Sequence, residues 1–350
     1  MSILITGGCG YIGSALTEYL SDIDSDLLSD SIMEYDIVNG DDILDYDRLV
    51  EVMEENKTTI VIHLAALSSV TACNENPQEA DRINGYGTEL VLKAMKETGC
   101  QNIIYASTSS VYGDSEDLPY TETQTPKPCS AYGSSKLLGE EAIRKHYESN
   151  QGSYLIFRMF NVVGTSGEPH IDSKISSGYD RLFAALESGV LTIYGNDYST
   201  LDGTGERDYV SLKDVCRAYE LGIKAMNKEE DIRQIVNICS GTLSSVKQMV
   251  DTWNEIAKDI YQGKCRGYPL PRVECSFGPR RTGDPSRVYG SNDHSQEVLG
   301  WVPQRKIGSI IQELAIDKNL LKQKVLVWTP QRKIEDIIRD LARYQNISNV

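Results

Sequence analysis

Apolar and polar positions follow two different textures along this chain. From residue 1 to about residue 165, short β-rich apolar runs alternate with longer stretches whose apolar residues recur every three or four positions. That is the pattern of repeated βαβ units around a parallel sheet. The strand candidates are residues 2–5, 31–35, 59–64, 102–106 and 154–158. Beyond Gly164 the elements shorten, and Gly, Asp, Ser and Pro gather between them, most densely around 195–207 and 262–286. The pattern predicts an α/β protein. A Rossmann-type doubly wound parallel sheet spans residues 1–165, to which some later segments return, and a smaller mixed α/β domain spans 166–321 with its loops facing the first. Ligands of such sheets bind at the carboxyl ends of the strands, so the cleft there is the expected site.

One internal repeat interrupts this picture. Trp301-Val302-Pro303-Gln304-Arg305-Lys306-Ile307 recurs as Trp328-Thr329-Pro330-Gln331-Arg332-Lys333-Ile334, each time followed by Ile and Leu at helical spacing. Two copies are too few for a solenoid. Residues 322–350 therefore read as a duplicated helical tail, and only one copy is expected to pack natively.

Composition narrows the partners. The 350 residues are 40 % hydrophobic and 25 % charged, ordinary for a globular chain. A formal charge of −16 repels a phosphate backbone, which argues against nucleic acid while leaving room for one small phosphate ligand in a local basic pocket. The eight cysteines show neither CxxC pairs nor a framework spacing, so they read as reduced thiols in a cytoplasmic protein. The first residues run directly into a strand pattern, no apolar stretch has membrane-spanning length, and the four histidines lack metal-ligand spacing. Neither a membrane nor a metal is expected. His63 reads as a strand-end residue near the cofactor and His294 as surface.

Gly7-Gly8-Cys9-Gly10-Tyr11-Ile12-Gly13 follows the first strand and opens a helix. Glycines at this spacing let the backbone turn tightly and approach a pyrophosphate, while the helix N-terminus offers N–H donors. Between a strand and a helix, the triplet points to a dinucleotide. Asp36, at the end of the second apolar run, is placed to accept hydrogen bonds from a ribose, and no Arg or Lys lies close behind it for a 2′-phosphate, so NAD is favoured over NADP. Asp42-Ile43 is a candidate for the adenine edge, although an Asp41-Asp42 run also reads as solvated surface. Tyr132-Gly133-Ser134-Ser135-Lys136 sets a phenol and an ammonium four residues apart on one helix face. A tyrosine near pH 10 needs a depression of roughly three units, about 4 kcal/mol, to act as a base near neutrality, and Lys136 with a cationic nicotinamide ring supplies it jointly. A strand ending Tyr105-Ala106-Ser107-Thr108 offers a hydroxyl to the reacting oxygen.

With these residues in view, the chain resembles the extended short-chain dehydrogenase/reductases, and among them the UDP-glucose (UDP-galactose) 4-epimerases, over about residues 3–315. The resemblance rests on the glycine turn, His63-Leu64-Ala65-Ala66, Asn84-Gly85-Tyr86-Gly87-Thr88, the Val111-Tyr112-Gly113 strand end, YxxxK, and Arg158-Met159-Phe160-Asn161. Its most specific part is Ile193-Tyr194-Gly195-Asn196-Asp197-Tyr198, running on through Asp202-Gly203-Thr204-Gly205-Glu206-Arg207-Asp208-Tyr209. The resemblance implies Thr108, Tyr132 and Lys136 as catalytic residues. It implies cofactor contacts from Gly7, Gly10, Tyr11, Ile12, Gly13, Asp36, Asp42, Ile43, Leu64, Ala65, Ala66, Asn84, Ser107, Tyr132, Lys136 and Phe160. Substrate contacts fall to Thr108, Asn161, Tyr194, Arg207, Tyr209, Arg281, Asp284 and Val288, the arginines gripping a diphosphate.

The implied activity is reversible NAD-dependent 4-epimerisation of a UDP-hexose through a 4-keto sugar. A nucleotide-sugar dehydratase or decarboxylase, or a non-catalytic NAD-binding sensor, are the alternatives. Related dehydratases place an Asp-Glu pair after the Thr; here Ser109-Ser110 follow, which disfavours elimination. Three positions depart from the epimerase pattern: Ser68 replaces a frequent Lys, Ile175-Ser176 replaces an Asn-Leu pair on the uridine side, and Val288 has medium size at a position that gates 2-acetamido sugars. The resemblance also implies a homodimer, since the helices over residues 88–98 and 132–149 would pair across a twofold axis in the related enzymes. Cys9 and Cys73 fall near the expected cofactor site and raise the question of oxidant sensitivity.

Overall fold

The structure, a computed structural model, describes residues 1–23, 32–164, 182, 185–228, 231–264, 269–280 and 284–315. The second copy of the repeat, Ile175-Ser176 and Arg281 lie outside the described residues.

Five βαβ-type strands form as the periodicity predicts: β1 (Ile3–Thr6), β2 (Ile32–Tyr35), β3 (Ile60–His63), β4 (Asn102–Thr108) and β5 (Tyr154–Met159). β4 runs two residues past its apolar run, which carries Ser107 and Thr108 to the rim of the sheet. Three short strands follow, β6 (Asn161–Val163), β7 (Val190–Tyr194) and β8 (Glu206–Ser211), and then β9 (Arg233–Ile238) returns to the first sheet. The six-stranded order is β2-β1-β3-β4-β5-β9, all parallel. The chain winds in opposite directions on either side of β1, so a crevice opens at the carboxyl ends of β1 and β3. Thr6 stands in register with Tyr35 and with His63, and His63 with Tyr105.

Helices α1 (Tyr11–Asp22), α2 (Tyr46–Glu55), α3 (Val70–Glu75), α4 (Pro77–Ala80), α5 (Gly87–Thr98) and α6 (Ala131–Ser149) cover the sheet, joined on one face by the Leu212–Lys228 helix. Two apolar cores result, one on each face of the sheet. Leu16, Ile5, Ile62, Phe157 and Trp301 belong to the first, and Leu4, Val61, Val91, Ile103 and Tyr147 to the second. Continuous apolar strands of this kind are expected of a parallel sheet covered on both faces.

The remaining strands form a smaller layer. β8 pairs with β6, β10 (Leu243–Ser245) and β12 (Arg287–Val288), while β7 pairs with β11 (Glu274–Gly278). The Val246–Tyr261 helix begins in a capping box between Ser245 and Gln248 and packs Met249 and Trp253 into a third core. Ile310, Ile311 and Leu314, on a helix over residues 307–315, complete that core. No helix among the described residues is long and apolar enough to cross a membrane.

Candidate active site

The glycine turn closes around its own backbone. The Gly7 N–H donates to the Tyr35 carbonyl (2.8 Å) and the Gly10 N–H to the Gly7 carbonyl (3.1 Å). A Cβ on Gly13 would lie 2.2 Å from the Gly7 oxygen, and one on Gly7, whose φ is +71°, would lie 2.7 Å from the Ala65 nitrogen. At Gly10 the only neighbour of an added Cβ is the Gly7 oxygen at 3.2 Å, and no side chain caps α1. The N-terminus of α1 is thus bare on the side facing the crevice, as pyrophosphate binding requires. Tyr11 contributes through its place in that first turn, since its phenol donates to the Gly164 carbonyl (2.7 Å) and Ile12 packs on the first core.

Asp36 is buried directly after β2 and accepts from the Cys9 N–H (3.0 Å) and the Val38 N–H (3.0 Å). Both carboxylate oxygens are thereby oriented, with lone pairs left for ribose hydroxyls. Asp42 accepts from the Leu44 N–H (2.9 Å), and Ile43 is buried, facing Gly87. The glycine cradle, the bare helix end and the fixed carboxylate together fit a dinucleotide.

His63 at the end of β3 is fully buried between Thr6 (Nδ1 to Oγ1, 2.6 Å) and Thr88 (Nε2 to Oγ1, 3.1 Å). The Thr88 hydroxyl donates to the Asn84 carbonyl (2.7 Å), and so it accepts from Nε2–H. Nδ1 then accepts the Thr6 proton, which makes the imidazole neutral; burial, and next Lys136, push its pKa down to about 3. This network holds Leu64 and Ala65 against Gly7, with Ala66 next in the chain and the Ala65 N–H reaching the Thr6 hydroxyl at 3.3 Å. Asn84, in a π-helical turn over Asp81–Tyr86, binds Leu67 through both its amide atoms and reaches the Ser135 hydroxyl at 2.9 Å. Its side chain therefore ties the loop holding Ser68 to the YxxxK helix.

Ser130 caps α6, accepting from the Gly133 N–H, and so starts the helix at the point that turns Tyr132 and Lys136 toward the crevice. A Cβ on Gly133 would lie 2.5 Å from the Ser110 carbonyl, and one on Gly139 would meet the Tyr105 hydroxyl at 2.2 Å. These two glycines let α6 lie directly on β4 and the turn after it. Burial pushes the Tyr132 phenol up to about 12, against a hydrogen bond with Thr108 that favours ionisation. Burial also pushes the Lys136 ammonium down to about 7, with Glu140 pulling the other way, and places its Nζ 4.4 Å from the centre of the Tyr105 ring. The depression expected from the sequence requires the nicotinamide ring as well as Lys136, and in the protein alone burial holds the phenol neutral. Desolvation favours a neutral phenol beside a readily neutralised amine, and a cationic ring from a bound cofactor is needed to reverse that balance.

Behind Lys136 lies a buried group that the motif reading missed. Glu140 is fully buried and binds Arg158 of β5 through both oxygens (3.0 and 2.7 Å), while Ser107 donates to it at 2.5 Å. Ser107 therefore supports α6 with its side chain. Two signals pointed here: Glu140 continues the Tyr132, Lys136 four-residue spacing, and Arg158 interrupts an otherwise apolar strand.

On the substrate side, Asn161 donates to the Asp208 carbonyl (3.0 Å), and Phe160 is buried with Tyr112, Tyr120 and Cys239 while Val288 packs against them. Arg207 pairs with Asp284 at 2.5 Å and donates to the carbonyl of Glu206 (2.8 Å). Two of the expected substrate contacts are therefore each other's partners, and Asp284 orients the Arg207 guanidinium. Tyr209 is buried with its phenol pushed up to about 12, and Tyr194 is exposed at the end of β7. Asp208 accepts from the N–H groups of Ser240 (2.7 Å) and Gly241 (2.9 Å), fixing the loop after β9. His294, expected at the surface, is half-buried against Gln234 on β9 (3.2 Å). Burial raises the thiol pKa of both Cys9 and Cys73, so neither is an activated thiolate. Seven cysteines are free and no metal-binding group occurs among the described residues.

Residues 3–239 match the family described as the NAD dependent epimerase/dehydratase family. The chain belongs to that family. This family member is 29 % identical over 316 residues to a UDP-glucose 4-epimerase of Corynebacterium glutamicum, covering 87 % of this chain and 91 % of the relative. Among solved structures it is similar to a UDP-glucose 4-epimerase of Bifidobacterium longum in complex with NAD+ and UDP, with a TM-score of 0.77 at 26 % identity over 92 % of this chain and 99 % of the other. It is also similar to MoeE5 in complex with UDP-glucuronic acid and NAD, with a TM-score of 0.71 at 25 % identity over 92 % and 100 % of the two chains. The NAD-dependent epimerase/dehydratase chain is accordingly an extended short-chain dehydrogenase/reductase with a Rossmann-type sheet, as its motifs imply.

Proposed function

We propose that the protein catalyses reversible 4-epimerisation of a UDP-hexose, interconverting UDP-galactose and UDP-glucose, with 2-acetamido forms also admitted. The observation that carries this reading is the meeting of Thr108, Tyr132 and Lys136 at the rim of β4, with no carboxyl group following Thr108. The Thr108 hydroxyl instead shares a hydrogen bond with the Ser110 hydroxyl (3.2 Å), a group unable to serve as the proton donor of an elimination.

Bound NAD supplies a hydride acceptor that can return what it takes. Around it, Tyr132 accepts the proton of the sugar 4-hydroxyl, and Thr108 hydrogen-bonds the same oxygen. Lys136 holds the nicotinamide ribose, and its charge favours the phenolate. The keto sugar then turns over within the cleft and regains its hydrogen on the opposite face, while Tyr132 returns the proton. Arg207, oriented by Asp284, steadies the diphosphate through both events. The relatives' names support a UDP-sugar, and the admission of 2-acetamido forms rests on the medium size of Val288, which packs against the cluster holding Phe160. The exposed Tyr86 and Leu138 support pairing of α5 and α6 with a second copy, which light scattering reads directly.

Incubation of the purified protein with UDP-galactose, without added NAD, tests the reading. Conversion to UDP-glucose of equal mass, approaching a fixed ratio, is expected. NAD-loaded protein that leaves UDP-galactose unchanged, or a product differing in mass, refutes it. A parallel incubation with UDP-N-acetylgalactosamine tests the breadth assigned to Val288.

A further inference from the structure

Among the described residues no carboxylate pairs with the buried Lys136 ammonium. Glu140, one helical turn further along α6, has its oxygens engaged by Arg158 and Ser107. What the Lys136 Nζ meets instead is an aromatic face, since it stands 4.4 Å from the centre of the Tyr105 ring. That is well inside the roughly 6 Å over which a ring quadrupole attracts a cation, and the attraction is strongest where water is excluded.

The ring is held on every side that the described residues supply. Tyr105 is fully buried in β4, in register with His63 on one side and Ile156 on the other. Its hydroxyl donates to the Lys136 carbonyl (3.4 Å), so one residue of α6 supplies both the cation over the ring and the acceptor at its tip. A Cβ at position 139 would lie 2.2 Å from that hydroxyl, and glycine there gives the phenol its room. The His63 ring centre lies 5.5 Å away, tilted by 39°, and its neutral imidazole adds no positive charge to compete with the lysine. Burial keeps the Tyr105 phenol neutral as well. We infer that Tyr105 is a positioning residue of the cofactor site: its ring face seats the Lys136 ammonium and keeps it charged, in a water-poor crevice, for the nicotinamide ribose.

This inference rests on the reading of Lys136 as the residue that holds the ribose. The titratable groups around the ammonium are Tyr132 and Glu140 on its own helix, Cys73 on α3, Tyr105 on β4 and His63 on β3. Near neutral pH the two phenols, the thiol and the imidazole carry no charge. Glu140 favours the ammonium from one turn away but shares its own charge with Arg158. The ring face is then the attraction that directly meets Nζ.

The test changes the electronics of the ring and keeps its shape. In the full-length chain, Tyr105→Phe retains the aromatic face, whereas Tyr105→3,4,5-trifluorophenylalanine withdraws the negative potential from it. The titration of Lys136 is followed by NMR of lysine enriched in carbon-13 at Cε, with Lys136→Met assigning the resonance. The midpoint, about 7 in the unmodified protein, is expected to stay within about 0.3 pH units in the Phe variant and to fall by roughly one pH unit with the fluorinated ring. Calorimetric titration with NAD gives a second readout. Because the charged lysine is the form that holds the ribose, the fluorinated variant is expected to bind NAD roughly tenfold more weakly than the Phe variant at pH 8, and by less than about twofold at pH 6. The same midpoint for both variants, or an affinity loss of equal size at the two pH values, overturns the inference. A midpoint lowered as far by Phe as by the fluorinated ring assigns the effect to the hydroxyl and also overturns it. Neither readout involves a sugar, so a protein that fails to convert UDP-galactose refutes the proposed function and leaves this inference standing.

Discussion

Replacing Lys136 by Met removes the most heavily desolvated charge in the crevice, and the consequence is calculable. Burial lowers the lysine from its ordinary 10.5 to about 7 in the folded protein. Between those values the unfolded chain binds more protons than the folded one, so stability rises with pH through this window. The folded-state penalty is fully developed below pH 7, amounts to about 5 kcal/mol at pH 6, and shrinks to about 1.5 kcal/mol at pH 9.5. Lys136→Met is therefore expected to stabilise the nucleotide-stripped protein most at pH 6, and the gap narrows by about 3 kcal/mol by pH 9.5. With an unfolding entropy of about 2 cal/mol/K per residue, the narrowing corresponds to about 4 °C in Tm. Scanning calorimetry of both proteins after charcoal treatment, at pH 6 and pH 9.5, measures it. A gap that stays constant across the two pH values refutes the assignment of a desolvated, readily neutralised amine.

Tyr132→Phe is expected to lower turnover by about 10²- to 10⁴-fold with NAD affinity retained, measured by steady-state assay beside fluorescence titration. Asp36→Ala removes a carboxylate held by two backbone donors, and is expected to weaken NAD binding by about one to two orders of magnitude, read by calorimetric titration. Glu140→Gln leaves Arg158 buried beside a neutral amide, and a loss of about 3–5 kcal/mol in urea unfolding is expected. A loss below 1 kcal/mol in that last case means that the pair does not hold α6 to β5.

The sheet, the glycine turn and the acid after β2 were legible because each depends on local sequence: short continuous apolar runs, missing side chains, and one carboxylate at a strand end. Tyr132 and Lys136 were legible through helical spacing. Their protonation was not, because desolvation is set by the neighbours that α6 meets on β4 and at Ser110, which lie far away in sequence. Asn84 and Ser107 were found by motif, yet their side chains serve Leu67, Ser135 and Glu140; which atom a motif's polar group binds depends on packing. The Arg207 and Asp284 pair was likewise invisible, since β8 and the start of β12 meet only in the folded chain.

The position of β9 in the sequence also shapes how the chain is made. β5 ends at Met159 and its partner β9 begins at Arg233, so the whole of the first half of the smaller layer is translated between two strands that finally lie side by side. At synthesis rates of about 5–20 residues per second, β5 waits on the order of 4–15 s as an open apolar edge on the ribosome-bound chain. Slow stretches of message placed in that interval prolong the exposure, and holdase chaperones have their natural point of entry there. The interval before β9 emerges is thus the stage of synthesis at which the β5 edge stands open to misassociation.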